Sequence, residues 1–205
     1  MSLKEHESIN RDEIRRRVEI GSFTICAKAG EGLYARAFMI KSHAHLSKED
    51  QKKLFGDRPV GLIDVCGFNT VLRNIPVASG NSEFSLVEIT FTEATKARFK
   101  GLKIYTGNRD DCLDCTLESP HRIVELEKGI AAAARHLHIS PGLAAIYGLS
   151  DQQRISATIP GEERKIEFKN IIVLVGDIET VELHLDADEA LSANLEDGQI
   201  VCLEK

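Results

Sequence analysis

The pattern His-x-His-aliphatic-Ser occurs twice in this chain, as His43-Ala44-His45-Leu46-Ser47 and, 93 residues later, as His136-Leu137-His138-Ile139-Ser140. A second correspondence follows at an offset of 94, where Val87-Glu88-Ile89-Thr90-Phe91-Thr92 lies over Val181-Glu182-Leu183-His184-Leu185-Asp186. Ordered repetition of this kind marks an internal duplication, so whatever one half builds the other builds again. Over 205 residues this favours two small domains, each with its own core, over one large one.

The local signals are mostly those of strands. Phe23–Ala27 and Ala37–Ile40 read as strands parted by a turn at Gly30–Gly32, and further β-rich segments lie at 60–65, 70–77, 122–126, 155–159, 166–168 and 171–175. Each His-x-His runs into a helix start. Ser47 with Asp50 caps a helix that stops at Gly56; Ser140 caps another, with Pro141 at its first position and Gly148 past its last turn. The Val-Glu strands are each followed by a cap, Thr92 or Asp186, and a short helix. A short amphipathic helix is expected over 10–20, with Asn10 and Glu13 as a capping box and Ile14 and Val18 on one face. Strands outnumber helices and do not alternate with them. The expected class is therefore mainly β, with two duplicated small β-barrel domains and short capping helices. The expected division is a lead-in helix and strand over 1–35, a first barrel half over 36–115 and a second over 116–205, parted by the polar stretch at 108–121.

Charge and composition narrow the function. A net charge of −6 argues against nucleic-acid binding. No apolar run reaches the ~18 residues needed to span a membrane, and the N-terminus lacks the apolar core of a signal peptide. The five cysteines are odd in number and follow no disulfide framework, so they are read as reduced thiols of a cytoplasmic protein. Cys112-Leu113-Asp114-Cys115 has no second pair to complete a zinc knuckle and is read as an exposed loop between the halves.

Five of the seven histidines fall in the repeated frame, and that points to metal. Residues i and i+2 of an extended segment share a face, so His43 and His45 can reach one ion together, as can His136 and His138. A third ligand is sought on the Val-Glu strands. In the second half it is His184. In the first half the aligned residue, Thr90, is a poor ligand, but Glu88 lies two residues earlier on the same face. The expected sites are His43, His45 and Glu88, and His136, His138 and His184. Three protein ligands leave one position open, as catalytic sites require, and a donor set without thiolate suits zinc first, then cobalt, nickel or iron. Asp186 and Asp188 either orient a ligand or cap the following helix. His6 and His121 fall outside the frame and are read as surface residues.

These residues resemble a known family. His43-Ala44-His45-Leu46-Ser47 with Leu54-Phe55-Gly56, Val87-Glu88-Ile89, Ala134-Arg135-His136-Leu137-His138-Ile139-Ser140-Pro141 and Leu183-His184-Leu185-Asp186-Ala187-Asp188-Glu189-Ala190 follow in the order seen in PduL-type phosphotransacylases. These are the phosphate propanoyltransferases linked to bacterial microcompartments. The likeness runs over residues 36–195. It implies paired β-barrels and two zinc ions per chain at the matching ligands. It also implies exchange of a short acyl group between coenzyme A and phosphate, with Glu88, His43 and His184 at the catalytic centre. One ion would bind the CoA sulfur as thiolate while the other holds water or phosphate and polarises the acyl oxygen. A homo-oligomer and a microcompartment association fall within the same expectation.

The chain departs from the family pattern where phosphate is held. Ser82 stands where the family has an arginine six residues before the metal-binding Glu, Ile104 stands where another precedes a Ser-Gly pair, and Lys41-Ser42 precedes the first His-x-His without arginine. A guanidinium is hard to replace for bidentate phosphate binding. Arg109 and Arg73 are the candidates to take over. The leading function is a zinc-dependent phosphotransacylase. The alternative is a metal-dependent acyl-CoA hydrolase, or an acyltransferase with an acceptor other than phosphate.

Overall fold

The computed structural model describes residues 33–205 except 68–69, 79–81 and 162–164, together with the backbone of two earlier strands, β1 (Arg17–Ile20) and β2 (Phe23–Cys26). These two pair antiparallel, with Ile20 opposite Phe23. The last residues of the helix expected over 10–20 are thus a strand, in keeping with the strand preference of β-branched residues such as Val18 and Ile20. Asn10, Glu13, Ile14, His6 and the Gly30–Gly32 turn lie outside the described residues.

β3 (Leu33–Ile40) precedes a first run of elements: β4 (His43–His45), α1 (Lys48–Phe55), β5 (Leu62–Cys66), β6 (Val71–Pro76), β7 (Leu86–Ile89), α2 (Phe91–Lys96), a 3-10 turn at Arg109–Asp111, β8 (Leu113–Glu118) and β9 (Ile123–Ala132). The second run is β10 (His136–Ile139), α3 (Pro141–Tyr147), β11 (Arg154–Ile159), β12 (Ile166–Val175), β13 (Val181–Asp186), α4 (Ala187–Ser192) and β14 (Gln199–Glu204). No described helix is long and apolar enough to cross a membrane.

The chain is mostly β and forms two barrel-like sheets of six strands. The first has the order β4-β7-β9-β8-β5-β6, and a parallel bridge between Ala44 and Val77 brings its last strand back towards its first. The second is a closed barrel in the order β10-β12-β11-β14-β3-β13. Each has its own apolar core: Leu46, Leu54, Ile63, Val65, Leu117 and Ile130 in the first, and Ala37, Leu137, Ile139, Ile159, Ile171 and Leu183 in the second. Burying each such aliphatic side chain larger than alanine contributes roughly 1.5–3 kcal/mol.

The two barrels match strand for strand, β4 with β10, β5 with β11, β6 with β12, β7 with β13 and β8 with β14. The sixth position is filled by β9 in the first barrel and by β3 in the second. Along the chain β3 stands just before β4 and β9 just before β10. The leading strand of each repeat therefore completes the other repeat's barrel. The compact units follow this exchange: one holds residues 40–134 and 186–189, the other residues up to 39, 135–185 and 190–205.

Finer details repeat as well. Asn74 and Asn170 both have positive φ, 60° and 59°, in equivalent strands beside register shifts in β5 and β11. The bulge at Asn170 joins the two segments expected at 166–168 and 171–175 into one strand. Each His-x-His strand runs straight into a capped helix. Ser47 Oγ accepts from the Asp50 amide and Ser140 Oγ from the Leu143 amide, and Gly148 closes α3 in the left-handed region at φ 61°.

Two expectations fail here. α2 is capped by Thr90 and not by Thr92, whose amide instead donates to Asp188 Oδ2. And Cys112-Leu113-Asp114-Cys115 is not an exposed loop. It leads into β8, and both thiols are buried. The polar residues of 108–121 mask a strand whose alternate residues, Cys115 and Leu117, enter the core. Burial pushes the Cys115 thiol up to about 12. From an ordinary value of 9.0 this leaves about a thousandfold less thiolate. Alkylation of Cys115 by iodoacetamide at pH 8 is accordingly expected to be slower by about that factor in the folded protein than in denaturant. Equal rates, read by peptide mass spectrometry, would refute its placement in the core.

Candidate metal centres

The first cluster is set by strand register. β4 and β7 pair antiparallel with His43 opposite Glu88 and His45 opposite Leu86, which puts His43, His45 and Glu88 on one face while Ala44 points into the core. His43 Nε2 lies 3.0 Å from His45 Nε2 and 3.2 Å from Glu88 Oε2, and His45 Nε2 lies 3.8 Å from the same oxygen. A tetrahedral ion with bonds of about 2.0–2.1 Å holds its ligand atoms roughly 3.3–3.4 Å apart, so these separations bracket the requirement. Nδ1 of His43 donates to the Lys41 carbonyl at 2.9 Å, which fixes the ring so that Nε2 is the nitrogen facing His45 and Glu88. Burial lowers the pKa of His43, but the Glu88 hydrogen bond, the Lys41 carbonyl and the Glu88 charge outweigh it and the net shift is upward. Glu88 is 12% exposed and His45 40%, so the cluster opens on the His45 side.

The second cluster repeats this geometry. β10 pairs with β13 so that His136 faces His184 and His138 faces Glu182. The rings of His136, His138 and His184 form a near-equilateral triangle, with centroids 4.8, 4.8 and 4.9 Å apart, and His184 Nδ1 approaches His136 Nε2 to 3.1 Å. Burial and the neighbouring His136 and His138 depress His184 to about 4. Burial and His136 also lower His138. Neutral imidazoles with lone pairs on one point are what a dication requires. Without an ion, this barrel loses stability as pH falls from 6.5 towards 4, because the unfolded chain binds protons that the folded one resists.

Each triad draws its ligand atoms within 4.8 Å of one another, and these are the metal-competent groups among the described residues. The donor chemistry, all imidazole and carboxylate, fits zinc or a similar borderline ion. His121 is exposed. Asp186 caps α4, accepting from the Asp188 and Glu189 amides, and Asp188 accepts from the Thr92 amide. The residue behind His184 is instead Glu182, with Oε2 3.5 Å from His184 Nε2. Sequence reasoning passed over Glu182 because the Val-Glu likeness set it against Glu88. Register shows that Glu88 corresponds to His184, and Thr90 to Asp186, at an offset of 96. The parity of β13, with Glu182 and His184 two residues apart, was the available signal.

The two candidate arginines part company. Arg73 is exposed on β6 and ion-paired to Asp64 at 2.7 Å. It lies four residues, about 13 Å of strand, from the Val77 that bridges to Ala44. Arg109 lies over the Phe84 ring at 4.8 Å and donates from Nη2 to the Glu127 carbonyl. Tyr105 packs edge-on against the same Phe84. Burial raises the pKa values of Tyr105 and Cys112, and both also feel the charges of Glu88 and Arg109. Ser82 bridges in parallel to Ser47, two residues beyond His45. Ile104 bridges to Ala132. Arg135 donates to the Lys169 carbonyl and stacks on Phe168.

A family model described as phosphate propanoyltransferase matches residues 59–196, a span that holds Glu88 and the whole second triad. Curated relatives with the same name include one from Shewanella putrefaciens, 28% identical over 174 residues, covering 78% of this chain and 82% of that protein. One from Salmonella typhimurium is 29% identical over 166 residues, 74% of this chain and 79% of the relative. One from Thermotoga maritima is 27% identical over 175 residues, 78% and 83%.

Proposed function

The chain belongs to the phosphate propanoyltransferase family, and from that premise we propose that it transfers a short acyl group between coenzyme A and phosphate with the help of metal held by both triads. Zinc is the ion that best suits the donors, at two per chain. The observation that carries the reading is the convergence of two three-ligand clusters, each short of a full tetrahedral shell, in a chain of this family. When bound, such ions supply Lewis-acid stabilisation to a thiolate and to an acyl oxygen. The protein's own groups then hold the reactants. Glu88 contributes the one anionic ligand, His43 is fixed through Lys41, and the first triad opens towards solvent beside His45. No covalent acyl-enzyme is required, since orientation of the two substrates supplies much of the rate. The cytoplasmic, microcompartment-associated setting of the resembling family is part of this reading and is testable by co-purification with shell proteins.

Arg109 is the residue we assign to phosphate. Tyr105 and Cys112 feel its charge together with that of Glu88, and its fork keeps donors beyond the one given to the Glu127 carbonyl. The test is CoA release from acetyl-, propionyl- and butyryl-CoA, with and without phosphate, on protein of measured metal content. Release is expected to depend on phosphate. Arg109→Ala should raise the phosphate requirement about 10- to 100-fold with CoA affinity nearly unchanged, the loss of one charge-assisted contact. Ser82→Arg should lower the requirement. The loss of arginine at Ser82 and Ile104 favours the second reading, an acyl-CoA hydrolase or a transferase to another acceptor. CoA release indifferent to phosphate in every variant would establish that reading in place of the first.

A further inference from the structure

We propose that Glu182, held by Thr180, is a positioning residue that presents Nδ1 of His184 to the second metal; this rests on reading the His136, His138 and His184 triad as a metal site. The two nitrogens of His184 have separate partners. Nδ1 turns to His136 at 3.1 Å, inside the triad, while Nε2 turns to Glu182 Oε2 at 3.5 Å, outside it. A proton on Nε2 satisfies the carboxylate and leaves Nδ1 as the donor atom. Glu182 and His184 share a face of β13, and Glu182 also lies opposite His138 in the register. The carboxylate is itself fixed, because Thr180 Oγ1 donates to Oε1 at 2.6 Å. Each of its oxygens thus has one task.

Comparison with the first triad gives the arrangement its purpose. There a carboxylate, Glu88, is among the ligands, and the outward nitrogen of His43 is served by a neutral backbone carbonyl. The second triad has three neutral ligands and no anion among them. A carboxylate directly behind one imidazole restores part of the missing negative charge and raises the basicity of that ligand. Each barrel therefore offers a dication one carboxylate, as a ligand in the first and through His184 in the second.

Zinc binding to the full-length chain, followed by chelator competition, tests this together with cobalt absorption and 15N correlation spectra of the imidazoles. In the zinc-loaded wild type the His184 proton is expected on Nε2. Glu182→Gln keeps the shape and removes the charge. It should weaken one of the two zinc ions about 10- to 100-fold, leave the other unchanged and alter the cobalt spectrum of the weakened site. Thr180→Val should give a smaller change in the same site, and it decides the matter if Glu182→Gln does not fold. Zinc affinity and cobalt spectrum unchanged in the folded variants would overturn the role of Glu182 alone. If wild-type zinc content is the same with and without His136→Ala, the metal reading of the triad fails first.

Discussion

Elemental analysis is expected to find about two metal ions per chain in the unaltered protein and about one in a His184→Ala variant. The remaining ion should stay with His43, His45 and Glu88. Removing His184 leaves His136 and His138, a pair two residues apart on one short strand, which offers two donors in place of three. Loss of an outer partner of a ligand already costs about 10- to 100-fold in affinity, so loss of the ligand itself should empty the site at ordinary metal concentrations. Acyl transfer should fall at least as far. Depletion of both ions to the same degree in a folded variant would show that the two triads do not bind independently. Full retention of two ions would remove His184 from the ligand set.

The second large effect concerns the exchanged strands. Ala37 on β3 and Ile130 on β9 occupy the same place in the two repeats, 93 residues apart, and both are fully buried. A carboxylate at either point has no partner and costs several kcal/mol, a large share of the stability of a domain this size. Ala37 lies six residues before His43, yet its side chain belongs to the core beneath His136, His138 and His184. Ala37→Asp should therefore loosen the second triad and spare the nearer one in sequence. Ile130→Asp, six residues before His136, should do the reverse. Hydrogen exchange with peptide resolution, read beside metal retention, distinguishes the two outcomes. Damage confined in each case to the triad nearest in sequence would refute the strand assignment.

Much of the site could be read from the chain because its chemistry is local. His-x-His fixes two donors on one strand face, and Ser47, Ser140, Pro141 and Gly148 punctuate the helices that follow by short-range hydrogen bonding. The third candidate of each group, Glu88 or His184, was reached from the sequence as well, but the equivalence of the two needed pairing information. A similarity of letters set Glu182 against Glu88 at an offset of 94, while the ladder sets His184 there, because Val-Glu-aliphatic looks alike in either register. The strand at Leu113–Glu118 was hidden by charged residues on its outer face, since a half-buried strand shows its core only at alternate positions. The exchange of β3 and β9 leaves no trace in hydropathy. An alternating pattern says which side chains turn inward, and nothing about which barrel receives them.

That exchange bears on ancestry. A single copy of the repeat carries a leading strand that fits only its counterpart's barrel, so one copy alone has a gap where its sixth strand should be. Before duplication, two identical subunits would each have had to lend that strand to the other, an obligate dimer by reciprocal swapping. Joining two such copies end to end would turn a meeting of subunits in solution into a tethered one, at an effective concentration of roughly millimolar. It would also free the two copies to diverge: the third residue of one triad is a carboxylate and that of the other a histidine, an asymmetry that a true homodimer, with one sequence for both sites, could not encode.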